Sequence, residues 1–190
     1  MRRAALSAGL ALLVLAGCGG TKTVTVTVTR TQTITTTAAA PGTTSMASAC
    51  TGSDLEGTFS VVPGSAGAGQ ISYALTVKNA SGHDCFVSGI PGVQLLDASG
   101  APLPTHVSAA HPGQGTAAKI ELAPGGSASA QARFSPDVPG VGDRQTGTCQ
   151  PKAVTMRVST TGPDTFDAPV RPPTSVCEQG SLRFDLFASG

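Results

Sequence analysis

The clearest pattern in the chain is an alternation. Ile71, Tyr73, Leu75 and Val77 are apolar, and Ser72, Ala74, Thr76 and Lys78 between them are small or polar. A period of two predicts a strand with one face in a core. The pattern recurs from Cys50 onward. Gly57 to Val62 sets Phe59 and Val61 on one face and closes in a Gly-rich segment that begins at Pro63. Cys85 to Leu96 reads as one further strand, interrupted at Gly89 to Gly92, where Gly and Pro predict a bulge or kink. Asp97 to Gly100 is a turn, and Leu103 to Val107 a short edge strand. Thr116 to Leu122 and Ser127 to Phe134 flank Ala123-Pro-Gly-Gly126, a hairpin signal. In the second of these, Ala128, Ala130, Ala132 and Phe134 alternate with Ser127, Ser129, Gln131 and Arg133. Ser135 to Gly147 is a long Pro/Gly loop. Lys152 to Ser159 points Val154, Met156 and Val158 inward, Thr165 to Val170 is a weaker strand, and Ser181 to Phe187 sets Leu182, Phe184 and Leu186 on one face. No stretch has a helical period. About eight to nine short antiparallel strands at this spacing predict an all-β sandwich.

Upstream of Cys50 the pattern is different. Arg2 and Arg3 precede an apolar run from Ala4 to Ala16, too short for a membrane span of about 20 residues. Leu15-Ala-Gly-Cys18 ends it and resembles the lipobox of bacterial lipoproteins, in which the cysteine becomes the diacylated N-terminus after cleavage. Residues 1–17 are thus read as a lipoprotein signal peptide and 18–49 as a lipid-anchored linker. Half of the stretch from Thr21 to Thr44 is threonine. Val24, Val26 and Val28 alternate with threonine there, but three valines bury too little surface to form a sheet, so an extended tether is expected. Its length, from Gly19 to Ala49, reaches at most about 100 Å. Residues 50–190 form the sandwich domain.

Composition narrows the function classes. With 24 glycines, 14 prolines and no tryptophan, the chain suits a turn-rich β protein. Formal charge is +1, and loss of Arg2 and Arg3 with the signal leaves −1. Such a balance carries no electrostatic footprint for nucleic acid. Four cysteines remain besides Cys18: Cys50, Cys85, Cys149 and Cys177. An even number in an exported domain points to disulfides, with three possible connectivities. If the first two strands form a hairpin, the start of one lies beside the end of the other, which favours Cys50 with Cys85. The same reasoning pairs Cys149 with Cys177. No Cys-x-x-Cys spacing supports a metal or redox pair.

Other chemistry is sparse. His83, His106 and His111 are the only histidines, and no spacing compels them to converge on a metal. No Gly-x-Ser-x-Gly elbow accompanies the many serines, and no phosphate loop precedes a helix. Asn79-Ala-Ser81 fits a glycosylation sequon but reads as turn residues after a strand. No catalytic residue, metal ligand or cofactor is therefore assigned.

Four parts of the chain carry a resemblance. They are the segment from Asn79 through Cys85 and Gly89-Ile-Pro-Gly92 to Asp97, the segment Leu122 to Ala128 around Pro124-Gly-Gly126, Cys149 before Lys152, and Val176-Cys177 before the last strand. Together they are similar to an actinobacterial secreted and lipoprotein domain known as domain of unknown function four-two-three-two, over about Cys50 to Phe187. The resemblance implies an immunoglobulin-like sandwich on an exported protein. It implies no catalytic residues.

The expectation is a monomeric lipoprotein on the outer face of the cytoplasmic membrane, held through lipid on Cys18. Its sandwich would be a non-catalytic binding module for an envelope protein or glycan, with no nucleic-acid partner. The alternatives are a metal carrier or envelope enzyme using the end that holds His83 and His111, or a purely structural envelope protein. Strand parity gathers Ser81 to Asp84, Ala109 to Gly115, Ser135 to Thr148 and Pro172 to Gly180 at one end with all four cysteines. The turns at Asp97 to Gly100 and Pro124 to Gly126 fall at the other. Long loops on a rigid scaffold carry binding surfaces, so the partner surface is expected around Asp143 and Arg144.

Overall fold

The computed structural model describes residues 47–113, 116–147, 149–160 and 164–190. The expected signal peptide, Cys18 and nearly all of the expected tether lie outside the described residues. The strands, in chain order, are β1 (Ser48–Ala49), β2 (Leu55–Val61), β3 (Ile71–Asn79), β4 (Cys85–Ser88), β5 (Gly92–Leu96), β6 (His106–Ala109) and β7 (Lys119–Leu122). They continue as β8 (Ser127–Phe134), β9 (Ala153–Ser159), β10 (Thr165–Thr174), β11 (Ser181–Phe184) and β12 (Ala188–Ser189). Two single 3-10 turns, Gly52–Asp54 and Glu178–Gly180, are the only helical elements among the described residues. The all-β sandwich predicted from alternation is what forms. It has more strands than expected, and it includes β1, so the sandwich takes up the last two residues assigned to the tether.

One sheet pairs β1, β4 and β7. The other follows the path β5-β9-β10-β2-β3-β8-β11-β6, with β12 also on β8. This path passes from β10 to β2 through only two registered pairs, Val170 with Phe59 and Arg171 with Ser60. The long ladders are antiparallel as predicted, but three short ones, β1 with β4, β2 with β10 and β6 with β11, are parallel. Two expected local features become crossings between sheets. The interruption at Gly89 to Gly92 is no bulge, because β4 pairs with β7 and β5 with β9. Nor do β7 and β8 make a hairpin. β8 pairs with β3, so Ala123 to Gly126 is an arch between sheets.

Both sheets face one core. Phe59 lies 5.0 Å from Tyr73, 6.4 Å from Phe134 and 6.2 Å from Phe184, between ring centroids. Across β3 and β8, Tyr73 stands opposite Ala132, Leu75 opposite Ala130 and Val77 opposite Ala128. The alanine strand therefore carries little bulk of its own and makes room for its neighbour's large side chains, which is how cross-strand pairs fill a core. Each large side chain so buried stabilises the fold by roughly 1.5–3 kcal/mol. The Tyr73 hydroxyl donates to the Pro172 carbonyl at 2.9 Å, and burial raises its pKa.

Near the C-terminus the alternation fails. Leu182 and Phe184 are buried, but Phe187, not Leu186, enters the core. The Asp185 N–H still donates to Gln131 O in the β8 register, but the Phe187 N–H donates to Gly89 O, so the chain turns off the strand between them and parity is lost. In β9, Met156 and Val158 are buried as expected, while Ala153 takes the core position in place of Val154.

Candidate functional site

The two disulfides are Cys50 with Cys85 and Cys149 with Cys177, the pairing favoured by the hairpin argument. β1 runs beside β4, and the Cys50 N–H donates to Phe86 O at 2.9 Å, which sets the first two cysteines side by side. The β9–β10 hairpin, closed by Thr174 opposite Ala153, does the same for the second two. The bridges sit at opposite ends of the sandwich, which corrects the expectation of one cysteine end. β6 is parallel to β11, which is antiparallel to β8, and β7 ends where β8 begins. Consequently β6 and β7 run in the same direction, and the reversal expected at 109–115 does not occur. Every loop after it changes ends. Residues 81–84 lie with the Pro124 arch, whereas 135–147 and 172–180 share their end with the Asp97 turn.

At the first end the organising residue is Asn79, with none of its surface exposed. Its Nδ2 donates to Leu122 O at 2.9 Å and His83 O at 2.7 Å, and its Oδ1 accepts from Ser81 N at 2.9 Å and Ser81 Oγ at 2.6 Å. Its backbone bonds the arch as well, with Asn79 N donating to Gly126 O and Gly125 N to Asn79 O. Every polar group is satisfied, as a buried amide requires. Asn79 in this fold is a clasp, inaccessible to modification. Beside it Asp54 accepts from Thr51 N and Thr51 Oγ1, and these bonds hold its carboxyl below the usual range.

At the second end the corresponding residue is Asp143, which is 8% exposed. Its carboxylate accepts from the backbone N–H groups of Gly140, Glu178 and Gln179 and from the side-chain amides of Gln179 and Gln150. Burial by itself raises the Asp143 carboxyl, but these donors outweigh it and hold the group below its ordinary value. The donors converge because Glu178, Gln179 and Gly180 all have positive φ, of 54°, 56° and 78°. Gly180 is required there, since a Cβ would collide with the Pro104 carbonyl. Asp143 thus ties the loop of residues 135–147 to the 177–180 turn. Of the two residues expected to meet a partner, Asp143 is turned inward and only Arg144 is exposed. Two further side chains escaped the sequence reading: Val141 is 99% exposed and Val138 46% exposed on the same loop. Nothing marks them in the sequence, because Val138 before Pro139 and Val141 between two glycines read as loop residues, and a loop valine is buried as readily as exposed.

The two segments that Asn79 joins, its own turn and the Pro124-Gly-Gly arch, are among those that carry the resemblance noted above. The profile of the family described as Domain of unknown function (DUF4232) matches residues 50–187. The chain belongs to this family. No curated protein and no solved structure matches it. Membership supplies no activity, so the reading of any site in the DUF4232 domain rests on geometry.

The three histidines of the DUF4232 domain are dispersed. His83 faces Asp54 at 3.6 Å, His111 faces Asp185 at 3.2 Å, and His106 opens β6 opposite Ser181. Among the described residues one group of three metal-ligand types lies close together, Asp143 with Cys149 and Cys177. Its sulfurs are bonded to each other and its carboxylate is filled by five N–H donors. No histidine joins such a group among the described residues.

Proposed function

We propose that this chain is an exported, lipid-anchored protein of the bacterial cell envelope whose DUF4232 domain is a non-catalytic binding module. The observation that carries the reading is Val141. A fully exposed apolar side chain, with Val138 and Arg144 nearby, stands on a loop whose base is fixed by the Asp143 carboxylate and the Cys149–Cys177 bridge. Rigid loops presenting an apolar tip beside a cation suit docking, because little entropy is lost on binding. Two disulfides suit an oxidising compartment outside the cytoplasm. The Leu15 to Cys18 segment supports anchoring through lipid on Cys18, and the partner is an envelope protein or glycan.

Two measurements test the halves separately. Intact-mass analysis of the membrane fraction should find a mature N-terminus at Cys18 carrying acyl mass, and Cys18→Ser should abolish it. An unmodified N-terminus elsewhere removes the anchor from the reading. A photo-crosslinker placed at position 141 in cells should give discrete adducts that Arg144→Ala reduces, whereas one at position 82, at the opposite end, should give none. Adducts from position 82 alone would move the binding surface to the Asn79 end.

A further inference from the structure

The outer face of β3, β8, β11 and β6 carries an unusual row. Ser72 stands opposite Arg133, Arg133 opposite Arg183, and Arg183 opposite Ser108. Like charges directly opposite each other across a strand pair are destabilising. Neither guanidinium is relieved by a carboxylate. The described residues include all 11 Asp and Glu of the chain, and none forms an ion pair with Arg133 or Arg183. A local arrangement that costs stability without compensation is the kind found where a ligand completes it.

The two arginines line a hollow of about 160 Å³ together with Ser72, Gln131, His111 and Asp185. Space of roughly 10–15 Å³ holds one water by this measure, so a small oxyanion fits. Ser72 and Gln131 add neutral donors beside the two cationic forks. One carboxylate is present, that of Asp185, and it is turned to His111 at 3.2 Å. A second hollow of about 180 Å³ adjoins the first, sharing His111 and Asp185. Its other walls are apolar: Ile90, Ala109, Phe184 and Leu186. Leu186, the side chain displaced from the core by Phe187, is exposed here.

We infer that these adjoining hollows form one binding site for an amphiphile with a phosphoryl headgroup. Two adjacent guanidiniums offer N–H groups to three oxygens at once, which a phosphoryl group supplies and a single carboxylate does not. The apolar hollow takes the first carbons of the attached chain. The site lies on the flank of the sandwich and is independent of the Val141 loop, so either reading stands if the other fails.

The test uses the full chain carrying Cys18→Ser, which removes the lipid, and the Arg133/Arg183 double variant in the same background controls for the apolar run of residues 4–16. Octyl phosphate, inorganic phosphate and octanol are titrated by calorimetry at low ionic strength. Octyl phosphate should bind about tenfold or more tighter than inorganic phosphate, since two buried methylene groups suffice for that factor. Octanol should not bind measurably. Arg133→Gln with Arg183→Gln should weaken octyl phosphate at least tenfold, while the double variant melts no lower than the parent because a repulsion is relieved. Arg144→Gln, on the loop, should leave binding unchanged. Vesicles of phosphatidylglycerol in phosphatidylcholine separate the sources. Arginine-dependent co-sedimentation assigns the headgroup to a bilayer lipid, and octyl phosphate binding without it assigns it to a soluble phosphate amphiphile. Equal affinity for inorganic and octyl phosphate, or undiminished binding by the double variant, overturns the site.

Discussion

The two ends of the sandwich are built with the same device and put to different use. Each has one disulfide and one buried polar side chain that collects several backbone groups. At one end Asn79, a neutral amide, both donates and accepts, and ties a short turn to the Pro124 arch. At the other Asp143, a carboxylate, only accepts, and gathers N–H groups from segments 35 or more residues apart in sequence. The amide end closes tightly over its short turn and, among the described residues, presents no exposed large apolar side chain. The carboxylate end needs left-handed backbone at Glu178 and Gln179 to aim its donors, and it holds out a loop tip. A clasp that only accepts can organise a long loop because backbone N–H groups are its sole requirement.

The largest way to break the comparison is to remove the bridges. Replacing Cys50 and Cys85, or Cys149 and Cys177, with Ala should cost about 3.5–4 kcal/mol in either case by loop closure. The sequence separations of 35 and 28 are too similar to distinguish them. Local consequences should differ. Trypsin should cut after Arg144 in the second double variant much faster than in the first. If Arg144 stays equally protected, the Asp143 clasp holds the loop without the bridge.

Next come the clasps themselves. Asn79→Ala strands the Leu122 and His83 carbonyls and should cost about 3 kcal/mol in urea unfolding. Asp143→Asn keeps one acceptor oxygen but loses the charge-assisted bonds, for about 2 kcal/mol. A larger loss at Asp143 would mean that the left-handed 178–180 turn cannot form without it.

Smallest and sharpest is pH. The folded Asp143 carboxyl lies below its ordinary value. Its contribution is therefore complete above the unfolded value, near pH 3.9, and is lost as pH falls through the lower folded value. The deficit of Asp143→Asn relative to the parent should shrink on acidification, and that of Asn79→Ala should stay constant. Asp54 and Asp97, also held low by hydrogen bonds, add an acid-labile part common to parent and both variants. Urea midpoints at about pH 7, 4 and 3 decide it. Parallel curves for both variants would show that the Asp143 charge contributes nothing.

Much of this protein is determined by sequence alone. Period-two alternation in β3 and β8 names the core faces, because a side chain on a strand has only two directions to point. The cysteine pairing follows from hairpins that close over short distances, β2 with β3 and β9 with β10. Tertiary structure decided what alternation cannot express. Pro124-Gly-Gly126 reverses the chain whether its flanks pair or enter different sheets, and only the partners of β7 and β8 choose the arch. The direction of β7, and with it the end at which every later loop lies, rests on pairings with residues far away in sequence. Leu186 and Phe187 exchange places because the Phe187 N–H bonds to Gly89 O instead of continuing along β8. Asp143 reads as a solvated loop residue until the 178–180 turn brings N–H groups to its carboxylate. Parity is a local property of a strand, but burial of a charge depends on donors that only the folded chain assembles.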